Sequence, residues 1–295
     1  MYRTEAQVNS CGSNLKEHQA AMKQLMDVFA DVCESHDIPY LLYAGTLLGA
    51  VRHHGFIPWD DDLDVIMSRD AYERFSRVAP ESLNEKIYFL QSEYSPHWPM
   101  FFSKLRLNNT ACLEKFIPKD SQMHQGVYID IFPYDNLSDK VPVRWGQFLT
   151  SKIVIARALR QRGYATRNIL KKGAMLISCL FPCEVLHEYV MKRSLPHSKY
   201  VHTFFAAASD YKKNVFPRNW FEETVLMPFE GRNYPVSAHY NDMLTVLYGD
   251  YMTIPDENER KRKVHNFLVD VEHSYEDYPN YQKEQKFDVY YESIR

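Results

Sequence analysis

Residues 43–65 read YAGTLLGAVRHHGFIPWDDDLDV, and this stretch decides the core of the predicted fold. The β-prone run Tyr40–Ala44 leads into it and closes on two small residues, Gly45 and Thr46. The apolar residues of Leu47–Val51 then follow with the composition of a short helix. The first half of the stretch therefore predicts a strand, a small-residue turn and a helix.

The second half of the stretch is strongly acidic. Residues 60, 61, 62 and 64 are all aspartates, and Asp62–Ile66 alternates polar and apolar residues with the period of two expected of a strand. This period places Asp62 and Asp64 on one face of the strand. Carboxylates held this close repel one another, and a shared cation keeps them ionised. The acidic strand therefore predicts a metal site.

The kind of metal follows from the flanking residues. An EF-hand calcium loop is excluded, because its glycine and glutamate positions are occupied here by Val65 and Ala71. Mg²⁺, held by few protein ligands and by phosphate oxygens of a substrate, fits two carboxylates on a strand. Gly45 lets a phosphate approach the backbone, and Thr46 with amides at a helix start can donate to it. The pattern predicts phosphoryl chemistry, and an acidic surface turn without a metal is the alternative.

The remaining sequence predicts an α+β fold in which a mixed sheet is flanked by helices. Amphipathic periodicity predicts the helices, and short β-prone runs predict the strands. The predicted helices are Met22–Cys33, Ala71–Val78 and His239–Leu247. The predicted strands are Ile87–Gln91, Phe101–Leu107, Val127–Phe132 and a hairpin within Val225–Val236.

A basic helical insertion interrupts the predicted catalytic domain. Residues Val143–Arg193 are helical in pattern, with breaks near Gly163 and Phe181. Residues 140–199 hold twelve Lys/Arg against two Glu, a local excess of ten positive charges in a chain of net charge −3. The predicted divisions are a catalytic core at 1–140, the insertion at 141–200 and a C-terminal part at 201–295 that completes the catalytic domain.

This positive charge requires a partner or a solvent-facing role. An anionic membrane surface suits it, since Trp145, Phe148 and Leu149 provide an apolar edge beside the charge. No nucleic-acid partner is expected, because no recognised binding motif accompanies the charge and the pI is about 6.5. A solvated helical face is the alternative.

The sequence gives no sign of export. Residues 1–12 lack an apolar stretch, and the best later candidate, 174–186, is too short to cross a bilayer. Five scattered cysteines form no Cys-x-x-Cys pair, so neither disulfides nor structural zinc are expected. We therefore predict a cytoplasmic protein with buried thiols, in contact with the membrane only peripherally.

Four blocks of sequence are similar to one known family. They are residues 43–65, Lys104–Arg106, Gly126–Pro133 and Tyr248–Met252. Through these blocks the chain resembles the LicD family of phosphotransferases, which is related to fukutin and fukutin-related protein. The zinc-binding cysteines of the fukutin-related branch are absent, which favours a bacterial-type member.

The resemblance carries expectations about fold and activity. It implies a polymerase-β-like nucleotidyltransferase core. It also implies the transfer of phosphocholine, or of another phospho-alcohol, from a CDP-activated donor such as CDP-choline to a glycan acceptor. The acceptor would be a cell-surface glycan or its lipid-linked precursor, such as lipopolysaccharide, teichoic acid or capsule.

The family pattern adds a third carboxylate to the predicted site. Asp130 matches it, and Asp130 also lies within the otherwise apolar run Tyr128–Phe132, where an unpaired buried charge would be costly. A metal ligand, or a base for the acceptor hydroxyl, explains this charge, with a salt-bridged structural aspartate as the alternative. Asp135 lies just beyond the run and is predicted to be a loop residue.

Several cations are expected to contact the phosphates of the donor. Lys104 and Arg106 stand two residues apart on a predicted strand and therefore share a face, which suits phosphate binding. Solvated edge-strand charges are the alternative for this pair. Arg52 follows the first turn and is expected to reach the diphosphate, and His265 is assigned to the donor site by the resemblance.

Aromatic residues also lie near the acidic strand. Tyr43, Trp59 and Trp98 could form a cage for a quaternary ammonium such as choline. Packing in the core explains them equally well.

These assignments imply a phosphoryl transfer. The acceptor hydroxyl attacks the phosphorus distal to the cytidine and CMP departs, while Asp62 and Asp64 hold Mg²⁺ against the diphosphate. Asp130 completes the metal site or accepts the hydroxyl proton. Two alternatives stay open: a nucleotidyltransferase that moves a nucleoside monophosphate from an NTP to a small acceptor, and a non-catalytic binding protein of a glycan pathway.

Overall fold

A mixed seven-stranded sheet lies at the centre of the fold. The structure, a computed structural model, describes residues 14–93, 95–114, 122–161, 169–181, 183–192, 195, 197–206, 210–256, 258 and 266–278. Its strands are β1 Leu41–Leu42, β2 Asp64–Ser68, β3 Tyr88–Gln91, β4 Ser103–Leu107, β5 Ala111–Glu114, β6 Tyr128–Leu137, β7 Tyr200–His202, β8 Val215–Pro217, β9 Thr224–Phe229, β10 Arg232–Ser237 and β11 Asn266–Asp270. Its helices are α1 Leu15–Ser35, α2 Ala44–His53, α3 Arg69–Ser82, α4 Val141–Gln161, α5 Ile169–Ile177, α6 Cys183–Met191, α7 Asn219–Glu222 and α8 Tyr240–Tyr248.

The sheet is mixed because its central pair of strands is parallel and its other pairs are antiparallel. Its order is β1, β2, β6, β4, β3, and β2 runs parallel to β6. β7 pairs with β6 on one side and with β8 on the other. The predicted α+β class and the helix-flanked mixed sheet are confirmed. The polymerase-β-like identity of the core stays a prediction.

Strand β6 connects the central sheet to the helical insertion. Its first part, as far as Tyr134, pairs with β2 and β4, whereas Asp135–Leu137 pair with β7. Asp130 therefore lies near the start of this ten-residue strand, and the insertion begins just after its end. Asp130 and the insertion therefore lie towards opposite ends of β6.

Helix α1 shows how the flanking helices are specified. Asn14 caps it, because the Asn14 side chain accepts a hydrogen bond from Glu17 N at 3.1 Å and Glu17 accepts one from Asn14 N at 3.0 Å. Its fully buried stripe repeats every three or four residues and comprises Met22, Leu25, Met26 and Phe29. Burying a side chain of this size contributes about 1.5–3 kcal/mol. The predicted helix Met22–Cys33 is confirmed within α1.

The start of helix α2 corrects one prediction. Gly45 and Thr46 are predicted to form a turn before the helix, but they lie in its first turn, which begins at Ala44. The cause is that the Tyr43 carbonyl already accepts the first helical hydrogen bond, from Leu47 N at 3.0 Å. The small residues therefore open the helix and do not precede it.

The acidic strand begins two residues later than predicted. Pairing with β6 starts at Asp64, and Asp130 N donates to the carbonyl of Leu63 at 2.8 Å just before it. Asp62 therefore belongs to the loop that approaches β2.

The prediction that Asp135 is a loop residue is wrong. Asp135 lies in β6 and is buried, and it accepts hydrogen bonds from Arg69 Nε at 2.7 Å and Arg69 Nη2 at 2.9 Å. Arg69 Nη1 also donates to Glu93 at 3.0 Å. The strand continues past Asp135 because β7 pairs with it, and β7 lies more than sixty residues further along the chain. No local pattern in the sequence shows that pairing.

Buried histidines near this network give the stability a pH dependence. Burial lowers the pKa of His202 from 6.5 to about 4, although the charge of Asp135 opposes it. Between pH 6.5 and about 4 the unfolded chain binds a proton that the folded chain does not, so stability falls as pH drops through this window. At about 1.4 kcal/mol for each pH unit, His202 contributes up to about 3 kcal/mol of this loss.

Urea denaturation at pH 7 and pH 4 measures this dependence. His18 behaves in the same direction, since burial lowers its pKa to about 4. The comparison that isolates His202 is the native chain against His202→Gln, which should lose less stability on acidification. An equal loss in the two proteins would show that His202 is not the titrating group.

The C-terminal part packs on the segment that leads to the acidic strand. β10 contacts β1, and β9 and α8 both contact α2. The hairpin predicted within Val225–Val236 is confirmed as β9 and β10, and the helix predicted at His239–Leu247 is confirmed as α8. β11 pairs with β5 in a separate two-stranded sheet. The residue boundaries of the predicted divisions stay predictions.

Helices α4, α5 and α6 lie in the described part of the insertion, and α4 packs against the other two. The predicted break at Phe181 is confirmed, and the one near Gly163 lies outside the described residues. Within the described ranges, no single helix is long and apolar enough to cross a bilayer. The segments 171–180 and 183–191, bent by 100° at their junction, reach that length and hydropathy only together.

The described cysteines are free thiols. Cys33 and Cys112 are buried, as predicted, and burial raises the pKa of Cys112, which keeps its thiol protonated. Cys179 is exposed, contrary to the prediction, because it lies on the solvent side of the short 3₁₀ turn after α5.

Candidate active site

Three charged side chains form a row across the central strands. Asp64 on β2 is in register with Asp130 on β6, and Asp130 is in register with Lys104 on β4. Residues in register on adjacent strands point to the same face, and neighbouring strands lie about 4.8 Å apart. The two predicted carboxylates and the predicted cation therefore lie side by side on one face of the sheet.

Two hydrogen bonds to the backbone of Asp64 fix the position of the row. Asp64 N donates to Thr46 Oγ1 at 2.7 Å, and Tyr43 N donates to the Asp64 carbonyl at 3.1 Å. Thr46 is buried, so this contact joins the first turn of α2 to the start of β2. The Thr46 hydroxyl accepts this bond with its oxygen and keeps its own proton to donate. A contact from that proton to a phosphate stays a prediction.

The acidic loop folds over the first turn of α2. Gln19 Nε2 donates to the carbonyls of Ile57 at 3.3 Å and Asp60 at 3.0 Å and so holds the loop in place. A Cβ atom at Gly45 would lie 2.9 Å from Asp60 Oδ2 and 3.9 Å from Asp62 Oδ1. The glycine therefore makes room for two carboxylates beside the helix N-terminus, where the helix dipole favours negative charge.

The carboxylates of this cluster act on one another electrostatically. Burial, and then the charges of Asp62, Asp130 and Asp60, raise the pKa of Asp64 well above its ordinary value, against the opposing charge of Lys104. Repulsion among clustered acids of this kind is relieved by a bound cation.

Mg²⁺ fits this arrangement. In the part of the chain that the structure describes, no three His, Cys, Asp or Glu side chains already converge into a complete metal cage. Mg²⁺ does not require one, since it commonly takes one or two carboxylates together with substrate phosphates and water. Asp62 and Asp64 stay the predicted ligands, and Asp130 lies in register beside Asp64. The metal and the roles of its ligands stay predictions.

Lys104 lies between two carboxylates. Its Nζ is 3.0 Å from Asp130 Oδ1 and 2.8 Å from Glu114 Oε1, and it sits 3.2 Å from the centroid of the Tyr128 ring. Burial raises the pKa of Asp130, whereas the adjacent Lys104 charge lowers it. The sequence analysis missed Glu114, whose strand β5 pairs with β11 some 150 residues later and carries no recognisable motif. A phosphate contact from Lys104 stays a prediction.

Arg106 shares a face with Lys104, as predicted, but it is more deeply enclosed. Its side chain is 0% exposed, with Nε donating to Gln91 Oε1 at 2.7 Å and Nη1 donating to the Gly126 carbonyl at 2.9 Å. Arg106 Nη2 also lies 3.8 Å from Glu114. The alternative of solvated edge-strand charges is wrong for both cations, because both are buried. Arg106 therefore connects β3 to the segment that precedes β6. Its contact with the donor stays a prediction.

Arg52 lies in the last turn of α2. Its Nη1 donates to the carbonyl of Tyr251 at 2.6 Å, and its guanidinium lies 6.0 Å from the centroid of the Trp59 ring. Burial lowers the pKa of Arg52, and the charge of Asp60 opposes that effect. Arg52 is therefore within electrostatic range of Asp60 in the acidic loop. This position is compatible with the predicted contact between Arg52 and the diphosphate.

The predicted aromatic cage is not assembled. Tyr43 is buried and its hydroxyl donates to Thr203 Oγ1 at 3.3 Å. Trp98 is also buried, and its Nε1 donates to the carbonyl of Phe102 at 2.7 Å. Both rings are core residues, so packing is the correct explanation for them. Trp59 alone of the three is partly exposed beside the acidic loop.

Asp61 is buried and anchors a distant segment. Its Oδ2 accepts hydrogen bonds from Asn266 N at 2.9 Å and Asn266 Nδ2 at 3.2 Å. His265, which was assigned to the donor site, lies outside the described residues. Its neighbour Asn266 is held directly against the acidic loop, so the chain approaches the cluster at this point.

Tyr248 is a second residue that the sequence analysis missed. It ends α8, is 39% exposed, and belongs to the block Tyr248–Met252, which was matched without a role for the tyrosine. Partial burial, and then the charges of Asp64, Asp62 and Asp60, raise the pKa of Tyr248 above its ordinary value. Tyr248 is therefore within electrostatic range of the acidic cluster.

Gly45→Ala should lower turnover by about 10- to 100-fold, because a displacement of about 1 Å at a reacting centre has this effect. The added Cβ would push the Asp60 carboxylate away, while stability should change by less than about 1 kcal/mol. Steady-state kinetics and thermal melting measure the two effects.

Gly49→Ala is the matched control on the same helix. A Cβ there would lie 2.4 Å from the backbone carbonyl oxygen of Gly55, which cannot move aside. This variant should lose about 1–3 kcal/mol of stability. Full turnover in Gly45→Ala would show that the space beside the acids is not needed.

Comparisons with known proteins show what this chain is similar to. Residues 37–153 match the family model described as "LicD/FKTN/FKRP, nucleotidyltransferase domain", and this range contains Asp62, Asp64, Lys104 and Asp130. The chain is 29% identical over 259 residues to the lipopolysaccharide cholinephosphotransferase LicD of Haemophilus influenzae, covering 84% of this chain and 94% of that protein. An uncharacterized protein of Rickettsia typhi is 39% identical over 61 residues, covering 21% of this chain and 20% of that protein. Another, of Rickettsia prowazekii, is 30% identical over 122 residues, covering 41% and 40%.

Proposed function

Since this chain belongs to the LicD family, whose domain it carries across residues 37–153, we propose that it is a Mg²⁺-dependent phosphotransferase. In this proposal it moves phosphocholine from CDP-choline, or a related phospho-alcohol from its CDP-activated donor, to a hydroxyl of a glycan. The glycan is a cell-surface glycan or its lipid-linked precursor, and CMP is released. The Haemophilus relative, which is named as a lipopolysaccharide cholinephosphotransferase, supports both phosphocholine and a glycan acceptor.

One observation supports the proposal most strongly. Asp64, Asp130 and Lys104 stand in register on three adjacent strands, with Asp62 and Asp60 gathered beside Asp64. A row that combines carboxylates for a metal, a candidate base and a cation is suited to phosphoryl transfer, in which alignment and charge neutralisation supply most of the catalysis.

In the proposed step one bond to phosphorus forms and one bond to the same phosphorus breaks. The acceptor oxygen forms a bond to the phosphorus distal to the cytidine, and the bond from that phosphorus to the bridging oxygen breaks. CMP leaves with the bridging oxygen and the electron pair. Mg²⁺, when bound by Asp62 and Asp64, would neutralise charge on the diphosphate.

Asp130 is the proposed acceptor of the hydroxyl proton. Burial raises its pKa, which makes it a stronger base than an ordinary aspartate, while Lys104 at 3.0 Å favours its ionised form. Glu114 holds Lys104 from the other side at 2.8 Å. The chain therefore offers a charged base whose position is set by a buried ion pair.

The donor's phosphates are proposed to lie over the first turn of α2. Thr46 and the amides of that turn would donate to them, and Arg52 would approach from the last turn of the same helix. Tyr248, whose pKa responds to the charges of the acidic cluster, is proposed to contact the acceptor or the alcohol.

A donor panel tests the proposal. The protein is incubated with Mg²⁺, glycan acceptors and each of CDP-choline, CDP-ethanolamine, CDP-glycerol, CDP-ribitol and the four NTPs. CMP and pyrophosphate are quantified by chromatography. CMP that appears only with a CDP-alcohol and an acceptor supports the proposal.

The same panel distinguishes the rival functions. The family model's description as a nucleotidyltransferase domain favours one rival, transfer of a nucleoside monophosphate, which would release pyrophosphate from an NTP. A non-catalytic role would give neither product, and calorimetry would then show no Mg²⁺-dependent nucleotide binding.

A further inference from the structure

The exposed apolar side chains of this protein are concentrated in the insertion. Among the described residues, sixteen large apolar side chains are exposed, and nine of them lie between Val141 and Val185. Single exposed apolar residues are ordinary on a soluble surface, whereas a concentration of them marks an interaction surface. The nine are Val141, Trp145, Leu149, Ile169, Leu176, Ile177, Leu180, Phe181 and Val185.

Helix α4 presents an apolar stripe outward. Val141, Trp145 and Leu149 follow one another at four-residue spacing and are all exposed. Its inward side buries two apolar residues, Val154 and Ala158, together with two polar residues. The apolar residues of α4 are therefore divided between the core and the surface, whereas a helix that only packs on a soluble core places them mainly on the inward side.

The segment from α5 to the start of α6 is even more exposed. Ile169 is 83% exposed and Leu180 is 81% exposed, whereas Met175 and Ser178 are the residues buried on its inner side. The chain bends by 100° between 171–180 and 183–191, so α5 and α6 form a corner and not one long helix. We call residues 169–181 and 183–185 the apolar corner.

Positive charge accompanies the apolar corner. Lys171 and Lys172 are exposed on α5, and Lys172 precedes Leu176 by one turn. The sequence from 140 to 199 holds twelve Lys/Arg against two Glu. Apolar residues at the depth of lipid headgroups, flanked by lysines that reach the phosphates, are the pattern of a helix that lies on an anionic bilayer.

We propose that the apolar corner docks on the surface of an anionic bilayer. Leu176, Ile177 and Leu180 enter the headgroup region, and Lys171 and Lys172 contact lipid phosphates. A second copy of this chain is a poorer occupant, because residues 140–199 carry an excess of ten positive charges and two such segments repel each other.

None of the residues of this docking surface belongs to the candidate active site. The insertion follows the end of β6, and seven residues of that strand, about 23 Å at about 3.3 Å each, separate Asp130 from Leu137. The proposal goes beyond the proposed function and does not depend on it, because lipid binding is measured without turnover. If both proposals are correct, docking would bring the site to a lipid-linked acceptor.

Vesicle co-sedimentation tests the proposal. The full chain is mixed with vesicles of phosphatidylglycerol and phosphatidylcholine in equal parts, and with pure phosphatidylcholine vesicles, at low and high salt. Binding to the anionic vesicles should be at least about 10-fold tighter and should weaken at high salt, because salt screens charge.

Two double variants locate the surface. Leu176→Glu with Ile177→Glu, and Lys171→Glu with Lys172→Glu, should each weaken binding to anionic vesicles by at least about 10-fold. Leu226→Glu on β9 and Lys86→Glu are the matched controls, since both side chains are exposed outside the insertion, and they should bind like the native chain. Thermal melting confirms that all four variants are folded.

Three results would overturn the proposal. The first is equal binding to anionic and neutral vesicles, and the second is no binding to either. The third is a stable dimer, measured by light scattering, that Leu176→Glu with Ile177→Glu separates into monomers while vesicle binding is absent. That last result would assign the apolar corner to a second copy of the chain.

Discussion

Asp64→Asn should lower CMP release by at least about 1,000-fold while the fold stays intact. Losing one electrostatic contact to a transition state typically costs about 10²- to 10³-fold, and Asp64 would also hold the metal. Stability should not fall, because burial and neighbouring charges already disfavour the ionised Asp64 in the folded chain. The neutral amide removes that repulsion. CMP release at saturating CDP-choline and the melting temperature measure the two expectations.

Asp70→Asn is the matched control for this substitution. Asp70 is also an aspartate close in sequence, but it is exposed in the first turn of α3. It should retain turnover within about 2-fold, since removing one screened surface charge changes little. Native activity in Asp64→Asn would remove the acidic cluster from the mechanism.

Arg69→Ala should lower the free energy of unfolding by about 3–5 kcal/mol, because it leaves two buried carboxylates without their cation. Arg69 forms paired hydrogen bonds with Asp135 at 2.7 and 2.9 Å and a further contact with Glu93 at 3.0 Å. The charge of Arg69 also holds the pKa of Asp135 below its ordinary value, although burial acts in the other direction. Urea denaturation gives the free energy of unfolding, provided that the slope with urea is unchanged.

Arg232→Ala provides the comparison at the surface. Arg232 contacts Asp31 and Glu34, each at 2.7 Å, but both acids are exposed. Exposed ion pairs of this kind contribute about 0–1 kcal/mol. Equal losses in the two arginine variants would mean that the Arg69 network does not support the junction between the sheet and the insertion.

The local parts of the site could be predicted from the sequence. The alternation around Asp62 and Asp64, and the lone charge in the run that contains Asp130, are patterns within a few residues. The structure places Asp64 and Asp130 in register on parallel strands, as a shared site requires. That register depends on a pairing between residues 66 positions apart, which local periodicity does not show.

The parts that were missed all depend on contacts between distant segments. Asp135 was predicted to lie in a loop because nothing near it indicates that β7 will extend its strand. Glu114 lies on a strand that pairs with β11, and Tyr248 lies at the end of α8, within electrostatic range of the acids. A lone acid or tyrosine in such a segment has no pattern that reports its partner.

For the basic residues, the sequence predicts the face of the strand but not the contacts of the side chains. The sequence correctly places Lys104 and Arg106 on one face, because strand periodicity determines the face. The sequence does not show whether a cation is available to bind a phosphate or is already paired with groups of the protein. Lys104 contacts two carboxylates, and Arg106 is enclosed by Gln91 and Gly126. Burial and pairing of this kind follow from the three-dimensional packing.

The most direct test of the proposed function follows the phosphorus atom. The protein is incubated with Mg²⁺, CDP-choline and a glycan acceptor, and the products are followed by mass spectrometry and by phosphorus NMR. We expect one phosphocholine added to the acceptor for each CMP released, and neither product with Asp64→Asn. CMP release without any modified acceptor, or a modified acceptor that forms equally well with Asp64→Asn, would contradict the account.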